Sequence, residues 1–263
     1  MYLDHFQLKS QPFSEHTPIT ALWQDQRMDE GLARLDYLIQ GGQLGLVTGL
    51  SGVGKSALLK RFLPGLLPQR CQAVYCHLTH LPSVGLLKMV VAQLGETPRR
   101  GKERLYEQIL ERATRAEGTL LLIFDEAHLL DGDALTDLRL LISSALDVRP
   151  PLKMLLVGQE PLRAVLRRAR HADLLNRVSV RHQLRPLSRE QTSRYIDFQL
   201  SQAGGDPQVF DDSVKTAIHD FTGGVPRQIN NLATACLVQA TADKVLRIDD
   251  NLFQQAVGEF QLP

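Results

Sequence analysis

The chain has 263 residues, 43% of them hydrophobic, and a formal net charge of +1. Such a length buries a full core and suits one large domain plus a small one, while the balanced charge excludes a global basic field, so any nucleic-acid contact must come from a local cluster. The longest apolar run, Leu120 to Phe124, is far too short to span a bilayer, and "MYLDHFQLKS" lacks the apolar core of a signal peptide; a soluble, cytoplasmic protein without a membrane partner is expected.

Residues 43 to 185 alternate apolar strand and amphipathic helix, which predicts an α/β fold with a parallel sheet and right-handed crossovers. The first strand is predicted at 43–48. It runs into "GLSGVGKS", Gly49 to Ser56, which fits G-x-x-x-x-G-K-[ST] without a mismatch and leads into a helix that should stop near Leu63, ahead of Pro64. Gly49, Gly52 and Gly54 permit backbone angles that turn successive N–H groups around phosphate oxygens, and the helix adds its positive end. The expected nucleotide-binding set is Gly49, Ser51, Gly52, Val53, Gly54, Lys55, Ser56 and Ala57. Lys55 would neutralise the outer phosphates and Ser56 would give its hydroxyl to a magnesium ion.

The second strand, predicted at 72–78, crosses "CQAVYCHLTH". Cys71, Cys76, His77 and His80 invite a metal reading, but their spacing matches no C-x-x-C or H-x-x-x-H pattern, and Val74, Tyr75 and Leu78 fit a buried strand with core cysteines and strand-end histidines. Farther on, "TPRRGKERLYEQILERA" clusters Arg99, Arg100, Lys102 and Arg104 at a helix start. These are candidate contacts to the phosphates of duplex DNA, since no aromatic interleaves them for base stacking; a solvated turn explains the same residues.

The third strand, 119–124, ends in "LLLIFDEAHLL", which puts two carboxylates at the carboxyl edge of the sheet, where open α/β folds bind ligands. Asp125 can hold magnesium and Glu126 can polarise a water for in-line attack on the terminal phosphate. Asp125 to His128 also spell the DEAH box of a helicase superfamily, but such a helicase needs a second RecA-like domain and only helices are predicted after residue 185, so His128 reads as a loop residue. A helix after Asp131 places Leu135, Leu138, Ile142 and Ala145 on one face. The fourth strand, 152–157, precedes Gln159, whose amide could reach the attacking water, and the fifth is predicted at 178–184.

From Arg185 the pattern becomes helical, which divides the chain into a nucleotide-binding domain, 1–185, and a small helical lid domain, 186–263. Ser188 and Gln191 form a capping-box signature, "GGDP" breaks the chain at 204–207, and helices are predicted near 210–221, 226–241 and 248–257. In "TGGVPRQINNL", Pro226 is a natural first helical residue, so Arg227 projects from a helix start.

Phosphate loop, acidic strand end, polar sensor strand, arginine before a last strand and a helical lid with G-x-P-R resemble the AAA+ ATPases. More narrowly, "HFQLKSQPF", "LLLIFDEAHLL", "LLVGQEPLR", "LRPLSREQTSRYI" and "TGGVPRQINNL" resemble the branch containing the secretion ATPase ExeA (GspA) and transposition helpers such as TnsC and TniB, over nearly the whole chain. The resemblance implies ATP and Mg2+ as cofactors and hydrolysis to ADP and phosphate. It makes Gln159 sensor one, Arg227 sensor two, and Arg177 the best candidate for an arginine finger reaching a neighbouring subunit, with Arg163, Arg167, Arg168 and Arg170 as rivals; Phe6, Pro12 and Phe13 would border the adenine. A finger supplied in trans demands head-to-tail contacts, closing into a ring or opening into a helical filament of the chain with itself. The expected function is a transposition helper that binds duplex DNA and recruits or activates a transposase or other transposition protein. The alternative is an ExeA-like ATPase assisting assembly of an envelope secretion or pilus system. ExeA-like proteins carry a membrane segment and an extension after the ATPase domain, and the end of this sequence at Pro263 turns the expectation toward DNA.

Overall fold

The computed structural model of the chain describes residues 2–14, 18–77, 81–143 and 151–260. A short helix α1 (Tyr2–His5) and α2 (Gln26–Gln40) lead to β1 (Leu44–Thr48). There follow α3 (Lys55–Phe62), β2 (Cys71–His77), α4 (Ser83–Gln93), α5 (Lys102–Arg115), β3 (Thr119–Asp125), α6 (Gly132–Ser143) and β4 (Leu152–Gly158). Then come α7 (Pro161–Leu166), α8 (Ala172–Asn176), β5 (Val178–Gln183) and four helices, α9 (Arg189–Gln202), α10 (Asp212–Thr222), α11 (Pro226–Ala242) and α12 (Asp250–Phe260). The fold is the α/β class expected, and all five strands fall within two residues of their predicted bounds.

The chain forms two compact units. The first, Gln26–Gly49 with Lys55–Leu184, holds a five-stranded sheet in the order β2-β3-β4-β1-β5. Every pairing is parallel. β3 is buried from Leu120 to Phe124 because helices cover both faces of the sheet, which is why its sequence is a continuous apolar run instead of an alternating one. Leu135, Leu138 and Ile142 of α6 join the same core, as their spacing predicts, while Ala145 lies outside the described residues. Two thiols on β2 are buried, and burial pushes Cys76 up to about 12, far from a reactive thiolate. The carboxyl end of α2 is tied to β4 by Lys153, whose Nζ donates to the carbonyls of Leu38 and Gly42, each at 2.8 Å.

The second unit comprises Met1–Asp25, Leu50–Gly54 and Arg185–Pro263. The capping box is present: Gln191 N–H donates to Ser188 Oγ at 3.2 Å and Ser188 N–H to Gln191 Oε1 at 2.9 Å. α10 ends at Gly223 in the left-handed region. A Cβ on Gly224 would sit 2.0 Å from the Leu187 carbonyl oxygen, so only glycine lets these two backbones pair, Leu187 N–H donating to the Gly224 carbonyl at 2.8 Å. The N-terminal segment packs within this unit. Phe6, Leu8 and Phe13 are buried with Ile196, Phe210 and Ile229 in the helical core, and Lys9 N–H donates to the Ala203 carbonyl at 2.8 Å. Phe13 meets Phe210 edge to face with ring centroids 6.3 Å apart. Phe6 and Phe13, the rings expected to border adenine, are thus part of this core.

Candidate functional site

β1 lies between β4 and β5, and β3 lies on the other side of β4, so the segments leaving β1, β3 and β4 emerge side by side at one edge of the sheet. Gly49 N–H donates to the Gly158 carbonyl at 3.2 Å, which joins the exit of β1 to the exit of β4. The loop then turns through Gly52 (φ 74°) and Gly54 (φ 110°), angles that a side chain would strain. Val53 is fully buried and anchors the loop, while Ser51 and Ser56 are exposed and Ala57 is half-buried. Lys55 opens α3 with its side chain buried, and its Nζ donates to the Gly49 carbonyl at 3.0 Å. A lysine enclosed in this way is costly without an anion or dipole beside it; here it closes the loop across its own mouth and presents its charge with the N–H groups of the helix start.

Within the helical unit, the loop residue Gly52 is the neighbour of Arg227. Arg227 N–H donates to the Gly52 carbonyl at 3.2 Å, and a Cβ added to Gly52 would lie 2.6 Å from Arg227 Cβ. Pro226 at the first position of α11 sets this start, and the helix projects Arg227 at the loop.

Asp125 is the last residue of β3 and is buried. Its Oδ1 accepts from Glu126 N–H at 2.9 Å and its Oδ2 from the hydroxyl of Tyr75, on the neighbouring strand, at 2.7 Å. Burial and the adjacent Asp125 carboxylate push the Tyr75 phenol well above its ordinary range, so it remains a donor. His77 Nδ1 stands 4.0 Å from the same Oδ2. Glu126 adopts left-handed angles, φ 57° and ψ 32°, an uncommon state for a non-glycine residue that turns the chain sharply off the strand. Its Oε2 lies 3.5 Å from Gln159 Nε2 and 3.3 Å from His128 Nδ1. Glu126 and Gln159 thus come together from strands 33 positions apart. Tyr75, His77 and His128 are polar neighbours that sequence reasoning set aside as strand and loop residues; the signal for the first two was the parallel register itself, which pairs Tyr75 with Ile123 and His77 with Asp125.

An oxygen donor set of a serine hydroxyl and a buried carboxylate suits magnesium, and a glycine loop with a buried lysine at a helix start suits phosphate. The residues present fit a magnesium nucleotide.

The remaining candidates lie apart from this cluster. Arg177, half-buried, ends α8. Among its rivals, Arg163 reaches Glu160 at 3.5 Å and Gln183 at 3.1 Å, and Arg170 Nε lies 2.9 Å from His171 Nε2. Of the basic cluster, Lys102 Nζ contacts the buried Asp137 at 2.8 Å and Arg99 lies 3.7 Å from Glu111; Arg100 and Arg104 are exposed.

Residues 38–166 match the family model of the AAA domain. The chain carries an AAA domain in the P-loop AAA+ fold. This AAA+ chain is 32% identical over 249 residues to General secretion pathway protein A of Aeromonas hydrophila, covering 92% of the chain and 45% of that relative, so it spans less than half of the relative's length. Among solved structures it is similar to CDC6P from Pyrobaculum aerophilum (TM-score 0.75, 16% identity, 96% of this chain and 72% of that one). It is also similar to Drosophila ORC bound to DNA (TM-score 0.74, 17% identity, 98% and 66%). These structural likenesses define the fold. Among the described residues, no helix is long and apolar enough to cross a membrane.

Proposed function

We propose that the chain binds ATP with Mg2+ in the loop from Gly49 to Ala57 and hydrolyses it to ADP and phosphate. The observation that carries this reading is the convergence at one sheet edge of Gly49 and Lys55, the strand-end pair Asp125 and Glu126, and Gln159. Magnesium, held by Ser56 and Asp125, supplies charge neutralisation across the outer phosphates when bound. Lys55 and the loop N–H groups hold and orient those phosphates. Glu126 takes the proton of the attacking water, and the Gln159 amide, already beside Glu126 Oε2, orients that water. Arg227, next to Gly52 in the loop, reads the occupied state. Arg177 completes the site of a neighbouring copy, which makes assembly head-to-tail, as a ring or a helical filament, and hydrolysis dependent on protein concentration. The test is hydrolysis and binding measured together for the parent and Glu126→Gln: binding persists while turnover falls by at least about a hundredfold.

For the process served, the 32% identity to General secretion pathway protein A supports an energy-supplying ATPase of a secretion assembly. A second reading, an ATP-dependent duplex-DNA binder that assists a transposase, is favoured by exposed Arg100 and Arg104 and by the likeness to an ORC solved on DNA. Electron microscopy with ATP, with and without duplex DNA, separates the two: assemblies that require DNA support the second.

A further inference from the structure

We infer that Tyr75 is a positioning residue for Asp125, setting the orientation of the carboxylate that receives magnesium; the inference rests on the nucleotide reading above. Two hydrogen bonds carry it. The Tyr75 hydroxyl donates to Asp125 Oδ2 at 2.7 Å, a charge-assisted hydrogen bond of good length. The other oxygen, Oδ1, accepts from Glu126 N–H at 2.9 Å. Each carboxylate oxygen is thereby held by one donor, one from the neighbouring strand and one from the turn that follows, which fixes the plane of the group. A carboxylate has about four lone-pair sites, so two donors leave acceptor capacity on both oxygens for a metal-bound water or the Ser56 hydroxyl.

The sheet makes this contact possible. β2 pairs in parallel with β3, Tyr75 opposite Ile123 and His77 opposite Asp125, so a tyrosine two positions back on β2 has the length to reach forward to the strand end. β2 is an edge strand of the sheet, and Tyr75 is 39% exposed, an unusual setting for a large ring whose hydroxyl is committed to a buried acid. Its neighbour Val74 points into the core and Cys76 is buried, so ordinary strand packing is provided by those residues and not by Tyr75.

The experiment compares parent, Tyr75→Phe, Asp125→Asn and the double variant, measuring equilibrium binding of a fluorescent ATP analogue in Mg2+ and in EDTA, with magnesium titrated as a separate axis. Phenylalanine keeps the ring and its edge-strand packing. The expected result is a roughly tenfold weaker nucleotide affinity for Tyr75→Phe in Mg2+, the scale on which groups orienting a metal ligand act, with affinity in EDTA unchanged. On the Asp125→Asn background the same substitution should add nothing, because Tyr75 acts through Asp125. Equal affinity of parent and Tyr75→Phe in Mg2+, an equal loss in Mg2+ and EDTA, or additive losses in the double variant each overturn the positioning role while leaving the nucleotide reading intact. A parent whose nucleotide binding ignores magnesium overturns both.

Discussion

At the carboxyl ends of β1, β3 and β4, residues from three distant stretches of the chain meet because parallel strand order puts their exits side by side: Gly49 bonds to Gly158, and Glu126 meets Gln159. At the start of α5, four basic residues lie within six positions of one another, and the fold parts them. Lys102 turns to Asp137 on α6 and Arg99 to Glu111, while Arg100 and Arg104 face solvent. The difference lies in what fixes each group. A strand-end residue is placed by the sheet, whose register leaves one direction of exit. A surface cation at a helix start is placed by whichever acid the tertiary fold brings near it, and for Lys102 that acid, Asp137, is 35 residues away in the sequence.

The largest effect that sharpens this contrast is loss of the enclosed lysine. Lys55→Ala removes the cation that closes the loop, and nucleotide binding should fall below detection in a fluorescence titration; retained binding would mean that the loop N–H groups suffice. Gly52→Ala should weaken binding at least about tenfold, because the added Cβ is forced into left-handed angles and toward Arg227 together, strain of about 1–3 kcal/mol.

The basic cluster is expected to respond in stability before it responds in binding. Asp137 is buried and accepts from Ser83 as well as Lys102. Lys102→Ala removes the cation beside that buried carboxylate and should lower unfolding stability by about 2 kcal/mol in urea. Arg100→Ala and Arg104→Ala should each change it by less than about 0.5 kcal/mol. If Lys102→Ala unfolds like the parent, the ion pair is idle and Lys102 rejoins the candidate DNA contacts. Should duplex DNA bind here, the Arg100→Ala, Arg104→Ala pair lowers the slope of log affinity against log salt by about two, one for each phosphate that an arginine no longer neutralises; an unchanged slope removes this helix start from the interface.

Much of the α/β unit was legible because its cues are local. Continuous apolar runs mark strands covered on both faces, and the G-x-x-x-x-G-K-S loop carries its own glycine and lysine logic. The strand-end carboxylates were legible for the same reason. What the letters did not show depends on pairing across distance. The hydrogen bond of Tyr75 to Asp125 follows from β2 lying beside β3, which no local pattern specifies. His128, read as a loop residue, sits 3.3 Å from Glu126 because Glu126 turns the chain in left-handed angles, a state that glutamate rarely adopts and no propensity predicts. Phe6 and Phe13 show the same dependence: a buried ring and a ligand-facing ring have the same letters, and their place beside Ile196, Phe210 and Ile229 comes from packing across distance.

We propose that this sheet edge hydrolyses ATP with Glu126 as the base. It is tested most directly by steady-state phosphate release from the parent and Glu126→Gln at saturating Mg-ATP and matched protein concentration, with nucleotide affinity measured on the same samples. Turnover by the parent and at least about a hundredfold less by the variant, at near-parental affinity, is the expected result. Equal phosphate release by the two proteins would contradict it.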